Sequence, residues 1–186
     1  MNAIVKPTEA PTMTTTMTMT EDLGPRDDAP WIIVNDTVMG GVSEATASVS
    51  GGVLAFRGFL SLANNGGFAS TRTTSPRLAA NLTGFAFDVR GDGRRYQFRL
   101  RPGRGFDGMA WRQYFETREE WSRVELQLGD FEPVFRGRQV PGAPALTGRE
   151  IGQIGFMLAD RTEGEFRLEV RGMTAVFDQG RTLTQN

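Results

Sequence analysis

The fold is decided by the stretch Trp31–Ser43, which reads WIIVNDTVMGGVS. Its first four residues are of the aromatic and β-branched kind that favours strands. Asn35 and Asp36 then supply side chains that hydrogen-bond to nearby backbone in turns. The pair Gly40-Gly41 can adopt positive φ or let two chain segments approach closely. The stretch therefore predicts a strand, a polar turn and a glycine bend at the start of a β-domain.

Alternating apolar and polar residues continue toward the C-terminus, as expected of strands with one buried face. The clearest alternating segments are Phe85–Val89, Tyr96–Arg101, Trp111–Glu116, Val124–Leu128, Ile154–Leu158 and Phe166–Val170. Gly91-Asp92-Gly93 is typical of a hairpin turn between the first two. No window indicates a long amphipathic helix. The sequence therefore predicts an all-β fold, an antiparallel β-sandwich.

Composition excludes several classes of function. The chain has no cysteine and no histidine, which excludes disulfides, thiolate nucleophiles, Cys/His zinc sites and histidine acid–base chemistry. The formal net charge of −1 predicts no global attraction to nucleic acid or anionic lipid. The glycine-rich loop at residues 103–108 is followed by a strand pattern rather than a helix, which argues against nucleotide binding there. We expect no cofactor and no catalytic activity.

Three segments are predicted along the chain. Residues 1–30 are expected to form a disordered tail rich in threonine and methionine, because they offer little apolar surface to bury. Residues 31–178 are expected to form the β-sandwich, and residues 179–186 a short C-terminal tail. The sequence shows no signal peptide, transit peptide or membrane-spanning run, so a cytoplasmic protein without membrane insertion is predicted.

The segment Asn35–Ser43 resembles the signature of the complex I intermediate-associated protein 30 family. Further segments that resemble the family follow in the expected order: Asn64–Ser70, Val89–Gly93, Phe135–Arg138 and Ile154–Met157. The resemblance implies a galactose-binding-like jelly roll and a role in assembling respiratory complex I, and it carries no catalytic residues. The signature residues in this chain are Asn35, Asp36, Met39, Gly40, Gly41 and Ser43.

A candidate binding face consists of side chains expected to point outward from the alternating strands: Arg90, Arg99, Arg101, Arg112 and Tyr114. Arginine and tyrosine are enriched where proteins bind one another. The alternative is a solvated sheet face with cross-strand Arg–Glu pairs, each contributing a few tenths of a kcal/mol.

Loops provide secondary candidates: Asn64, Asn65, Arg136 and Arg138. Oxygen atoms of Asn35, Asp36 and the Asn64-Asn65 pair could in principle hold a structural calcium ion. Because no dense acidic loop is present, the interpretation adopted is that these side chains fix turns, and no metal site is assigned.

The sequence thus predicts a non-catalytic protein-binding or assembly factor. Its expected partners are protein, either respiratory-complex subunits or assembly intermediates, and not nucleic acid. The alternative is a jelly-roll module that binds a carbohydrate or another small ligand.

Overall fold

The computed structural model describes residues 18–103 and 108–179, which form two antiparallel β-sheets. In chain order the strands are β1 (Thr18–Asp22), β2 (Ile32–Ile33), β3 (Glu44–Ser50), β4 (Val53–Leu60), β5 (Ala69–Thr74), β6 (Leu82–Gly91), β7 (Arg95–Pro102), β8 (Ala110–Glu116), β9 (Ser122–Gln127), β10 (Glu132–Phe135), β11 (Arg138–Gln139), β12 (Ile151–Leu158) and β13 (Gly164–Asp178). Among the described residues the helical segments are 3₁₀ turns: Asp36–Met39, Ala63–Asn65, Leu128–Asp130 and Gly148–Glu150. None of these is long and apolar enough to span a membrane.

The two sheets have different strand orders. Sheet A runs β3-β4-β13-β6-β9, and β1 also pairs with β13. Sheet B runs β11-β10-β8-β7-β12-β5-β2. All of these pairings are antiparallel. The predicted all-β sandwich is therefore confirmed.

The core lies between the sheets and is dominated by phenylalanine. Phe87 of sheet A contacts Phe98, Phe115 and Phe156 of sheet B, with ring centroids 5.2–5.6 Å apart. All four side chains are buried, because the alternating apolar positions point inward as the sequence predicts. Aromatic pairs in tilted or edge-to-face geometry contribute about 0.5–1.5 kcal/mol each beyond the area they bury.

The turn at residues 91–93 is not the hairpin that the sequence predicts. The strand before it, β6, belongs to sheet A, and the strand after it, β7, belongs to sheet B, so the chain crosses between sheets here. Asp92 stabilises the crossing, because its carboxylate accepts hydrogen bonds from the Tyr96 hydroxyl at 3.0 Å and the Arg167 amide at 2.7 Å. Alternation shows which residues of a strand face inward, but it does not show which sheet the strand joins.

The N-terminal boundary is a second correction. The strand β1 and the buried Leu23 lie inside the segment predicted to be a disordered tail. Thr18–Asp22 pairs with the end of β13, and the Leu23 amide donates to the Met173 carbonyl at 2.8 Å. The side chains of β1 are all exposed, so the strand is held by backbone hydrogen bonds and leaves no hydrophobic pattern. Residues 1–17 and 180–186 lie outside the described residues.

We predict that Leu23→Ala lowers the free energy of unfolding by about 2–3 kcal/mol, because it removes a buried side chain from the core. The matched control is Met19→Ala on the neighbouring strand, where the side chain is 54% exposed and the expected change is within about 0.5 kcal/mol. Urea unfolding of the three proteins measures both values. Equal stability of the Leu23 variant and the parent would show that this segment does not contribute to the folded core.

Candidate functional site

The 3₁₀ turn after β2 is fixed by the buried carboxylate of Asp36, which has no exposed surface. Its Oδ1 accepts the Ser43 amide at 2.9 Å, and its Oδ2 accepts the Ser43 hydroxyl and the Gly67 amide, each at 2.6 Å. The Phe68 amide donates to the same Oδ2 at 3.3 Å. Ser43 in turn accepts the Ser61 amide at 3.0 Å. The carboxylate therefore joins the signature loop, defined here as residues 35–43, to the residues before β5. The Ser43 hydroxyl joins the same loop to Ser61, just after β4.

The same hydrogen bonds set the protonation of Asp36. Burial alone would raise the pKa of this carboxyl, but the bonds from Ser43, Gly67 and Phe68 outweigh burial and hold the pKa below its ordinary value. The group is therefore ionised at neutral pH although it is buried without a cationic partner.

The two signature glycines have different roles. Gly40 has φ of +91° and open space around it, so its backbone conformation requires glycine. Gly41 is not in that region, but an added Cβ would lie 2.7 Å from the Cβ of Asp36. Gly40 thus provides the bend, and Gly41 lets the chain pass next to the buried carboxylate.

The asparagines near this loop are structural in different ways. The Asn35 side chain is buried, and its amide donates to the Ser43 carbonyl at 3.2 Å. Asn64 and Asn65 are exposed and both have positive φ, 56° and 58°, which asparagine tolerates better than most residues.

The described residues contain no group of three or more acidic, histidine or cysteine side chains that could hold a metal ion. The oxygens of Asp36 are occupied by its four hydrogen bonds.

Exposed apolar side chains lie on and next to the signature loop, and alternation in the sequence does not predict them. Of the eight large hydrophobic side chains that are exposed among the described residues, five lie on this loop or near Ser61, which is hydrogen-bonded to Ser43. We call these five side chains the apolar patch: Val38, Met39, Val42, Phe59 and Leu62. The Leu62 amide donates to Glu163 at 3.0 Å, so the β4 end of the patch is also fixed. A cluster of exposed apolar side chains on a rigid loop is characteristic of an interaction site.

The outer face of sheet B carries most of the predicted binding face. The side chains of Arg99, Arg101, Arg112 and Tyr114 point outward from β7 and β8, as do those of Arg72, Gln97 and Met157 from neighbouring strands. We call these seven residues the arginine face. Arg99 lies opposite Arg112 in the strand register, and Gln97 lies opposite Tyr114.

Arg90 does not belong to this face. It is on β6 in sheet A, where it forms an ion pair with Glu169 and lies 4.9 Å from the ring centroid of Trp121. Alternation in the sequence groups Arg90 with the other arginines, because each side chain points outward from its own strand. The structure places it on the opposite side of the sandwich.

Arg99 has an unusual environment. No carboxylate of the described residues lies within ion-pair distance of its guanidinium, and its Nη1 donates to the sulfur of Met157 at 2.6 Å. Its Nε is buried without a hydrogen-bond partner. Burial, followed by repulsion from Arg101 and Arg112, lowers the pKa of Arg99 to about 10. It still carries its charge at neutral pH.

The aromatic rings nearest these arginines are covered. The Tyr114 ring has the Arg95 guanidinium 4.2 Å and the Arg112 guanidinium 5.0 Å from its centroid. On sheet A the Trp121 ring has Arg171 at 4.1 Å. These faces form cation–π contacts within the chain and are not open stacking platforms.

The last two predicted loop residues lie in the β10–β11 hairpin at the edge of sheet B. Arg136 is in the turn, and Arg138 is the first residue of β11. Both are exposed, and Arg136 lies 5.3 Å from the ring centroid of Phe135. The structure does not bring them next to the signature loop, because β2 and β11 are at opposite edges of the sheet.

Comparison with known proteins identifies one family. The sequence profile described as "Complex I intermediate-associated protein 30" matches residues 21–170 of the chain. This match covers β2 to β12, the first seven residues of β13 and the signature loop. No curated protein shows a significant match to the chain.

Solved structures with a similar fold include carbohydrate-binding modules. The family 11 module of a cellulosomal cellulase of Clostridium thermocellum has a TM-score of 0.63 and 18% identity, covering 84% of this chain and 94% of that one. The family 11 module from that organism in complex with a mixed-linked tetrasaccharide gives 0.59 and 15%, covering 89% and 96%. A family 29 module complexed with cellulohexaose gives 0.53 and 11%, covering 88% and 92%. At these identities the likeness confirms the jelly-roll fold alone.

The two glycines should respond differently to asparagine and alanine substitutions. At position 40, Gly40→Asn should be more stable than Gly40→Ala, because asparagine tolerates positive φ whereas alanine is destabilised there by about 1–2 kcal/mol. At position 41 the order should reverse, because any larger side chain moves closer to Asp36, and even Gly41→Ala should cost at least about 2 kcal/mol. Thermal unfolding of the four variants tests the two orders. The same order at both positions would contradict the separate roles.

Asp36→Asn should lower the free energy of unfolding by about 2–4 kcal/mol at pH 7, because the amide group places a donor against buried donors. The folded-state pKa of Asp36 is lower than the unfolded-state value. Its stabilisation is therefore complete above the unfolded pKa of about 4 and is lost as pH falls through the folded pKa. The stability difference between parent and variant should shrink correspondingly at acidic pH. A difference independent of pH down to acid unfolding would contradict an ionised Asp36.

Proposed function

Because this chain belongs to the complex I intermediate-associated protein 30 family, we propose that it is a non-catalytic assembly factor that docks a protein partner. The partner would be a subunit or assembly intermediate of a respiratory complex, in keeping with the family description. The observation that carries the proposal is the apolar patch, because three of its five side chains lie on the signature loop, which resembles the family signature.

The rigidity of the loop supports this role. Val38 and Met39 are 69% and 65% exposed, yet their backbone lies in the 3₁₀ turn that begins at the buried Asp36. Burial of such side chains against a partner stabilises the complex by about 25 cal/mol for each Å² of apolar surface removed from water. Because the turn is already ordered, binding does not pay for ordering its backbone.

The apolar patch differs from the site that an enzyme requires. The buried titratable group beside it, Asp36, is saturated with hydrogen bonds from Ser43, Gly67 and Phe68. A carboxylate that accepts four hydrogen bonds and has a lowered pKa is a poor general base. Its arrangement suits a group that fixes a binding loop.

Carbohydrate binding is the second candidate, since the structurally similar modules include two in complex with oligosaccharides. The surface chemistry of this chain gives it less support. Sugar-binding sites use open aromatic faces for stacking, and the rings of Tyr114 and Trp121 are covered by arginine side chains. Titration with a mixed-linked glucan tetrasaccharide separates the two candidates, because the protein-docking role predicts no binding.

We predict that the double substitution Val38→Ser with Met39→Ser abolishes recovery of the partner and leaves the thermal midpoint within a few degrees of the parent. Both side chains are exposed, so their replacement removes docking surface and not core. The experiment is affinity purification from the native source, with bound proteins identified by mass spectrometry.

The matched control is Met19→Ser, which replaces an exposed methionine on β1 at the far end of β13 from the loop. This variant should recover the partner as the parent does. Undiminished recovery by the folded double variant, or recovery of proteins unrelated to a respiratory complex, would contradict the proposal.

A further inference from the structure

A row of outward side chains crosses sheet B in register. Arg72, Gly155, Arg99 and Arg112 occupy paired positions on β5, β12, β7 and β8. Adjacent strands are about 4.8 Å apart, and Gly155 contributes no side chain to the row between Arg72 and Arg99. We call this missing side chain the gap. A Cβ at position 155 would lie 2.8 Å from the Cβ of Arg72, so the position requires glycine.

Arg99 borders this gap with an incomplete set of partners. Its Nη1 contacts a thioether sulfur, which is a weak acceptor, and its buried Nε has no acceptor. The nearest charges that affect it are positive, from Arg101 and Arg112. A buried cation without a counterion is unfavourable unless something else supplies the negative charge. Arg112 has an acidic neighbour, Glu132, but only at 3.5 Å and at the exposed edge of the row.

A second unpaired polar group lies beside Arg99. Gln97 is two residues away on the same face of β7, is only 3% exposed, and its Oε1 has no hydrogen-bond donor. Buried polar atoms are nearly always paired, and an exception calls for a missing water, ion or ligand. The gap is therefore bordered by a guanidinium whose Nε lacks an acceptor and by an amide oxygen that lacks a donor.

We infer that this gap binds a carboxylate side chain from an acidic segment of the protein partner, with Arg99 and Arg112 receiving the carboxylate and Gln97 accepting a hydrogen bond from the segment. Arginine presents two parallel donors to a carboxylate, and the N–H groups of a peptide supply the donor that Gln97 lacks. A peptide is favoured over an acidic sugar because the adjacent Tyr114 ring, the surface on which a sugar would stack, is covered by Arg95 and Arg112.

The inference rests on the proposed function in taking the ligand to be a protein, but its site is separate from the apolar patch. Binding here is measured with hexa-L-glutamate as the probe and needs no natural partner. If hexa-L-glutamate does not bind, the carboxylate site is wrong, but the proposal for the signature loop is unaffected. If the Val38→Ser, Met39→Ser variant still recovers the partner, the loop proposal is wrong, but the carboxylate site is unaffected.

The decisive variant is Arg99→Gln, which removes the charge and keeps a polar side chain. Calorimetric titration with hexa-L-glutamate at low salt should show at least about a tenfold loss of affinity, equivalent to about 1.4 kcal/mol. Arg90→Gln on the opposite sheet is the control and should bind as the parent does. Added salt should weaken parent binding, because the interaction is between charges.

Stability provides an independent readout. Without peptide, Arg99→Met should have a higher thermal midpoint than the parent, because it removes a buried charge that no residue compensates. With peptide, the parent should be stabilised and this variant should not. A lower midpoint for Arg99→Met, or failure of both Arg99 variants to fold, would show that the arginine is compensated within the chain and would overturn the inference.

The third measurement is a titration with hexagalacturonate, an acidic oligosaccharide of the same charge. Tighter binding of hexagalacturonate than of hexa-L-glutamate would overturn the assignment to a protein segment. Binding of neither probe, or equal binding of hexa-L-glutamate by Arg99→Gln and the parent, would overturn the site itself.

Discussion

The described part of the structure depends on one buried carboxylate that is stabilised without a cation. Asp36 accepts hydrogen bonds from two groups of Ser43 and from the amides of Gly67 and Phe68, so its two oxygen atoms hold the signature loop against the segment before β5. These bonds offset the cost of burying the charge, which would otherwise be several kcal/mol. The path of the signature loop between the two sheets follows from this contact, because β2 ends just before it in sheet B and β3 begins just after it in sheet A.

Much of the fold could be predicted from the sequence, and the failures have physical causes. Alternation correctly identified the inward residues of β6, β7 and β8, because burial of one face is a property of each strand alone. The partner sheet of each strand is a long-range property, so the turn after Gly91 was interpreted as a hairpin and Arg90 was placed with Arg99. The strand β1 was missed because its side chains are all exposed and backbone pairing carries no hydrophobic signal.

The candidate sites were predictable to different degrees. Gly40 and Gly41 could be identified as special, but only the neighbouring atoms show that the first needs positive φ and the second needs space beside Asp36. The exposure of Val38 and Met39 could not be predicted, since in sequence they resemble core residues. On sheet B the local pattern indicated outward arginines, yet the lack of a carboxylate near Arg99 depends on which strands are neighbours. The gap at Gly155 likewise exists only in the assembled sheet, where four strands are in register.

The short strand β2 connects the two surfaces. Ile32 pairs with Arg72 at the edge of sheet B and is itself exposed, so an exposed apolar side chain lies next to the arginine face. Four residues later the same segment enters the turn fixed by Asp36. A partner that docks on the signature loop, as proposed, would therefore lie along the edge that leads to Arg72 and the gap at Gly155. Apolar contacts would then supply most of the affinity, while the arginines would select a partner with an acidic segment, because charge complementarity governs specificity more than affinity.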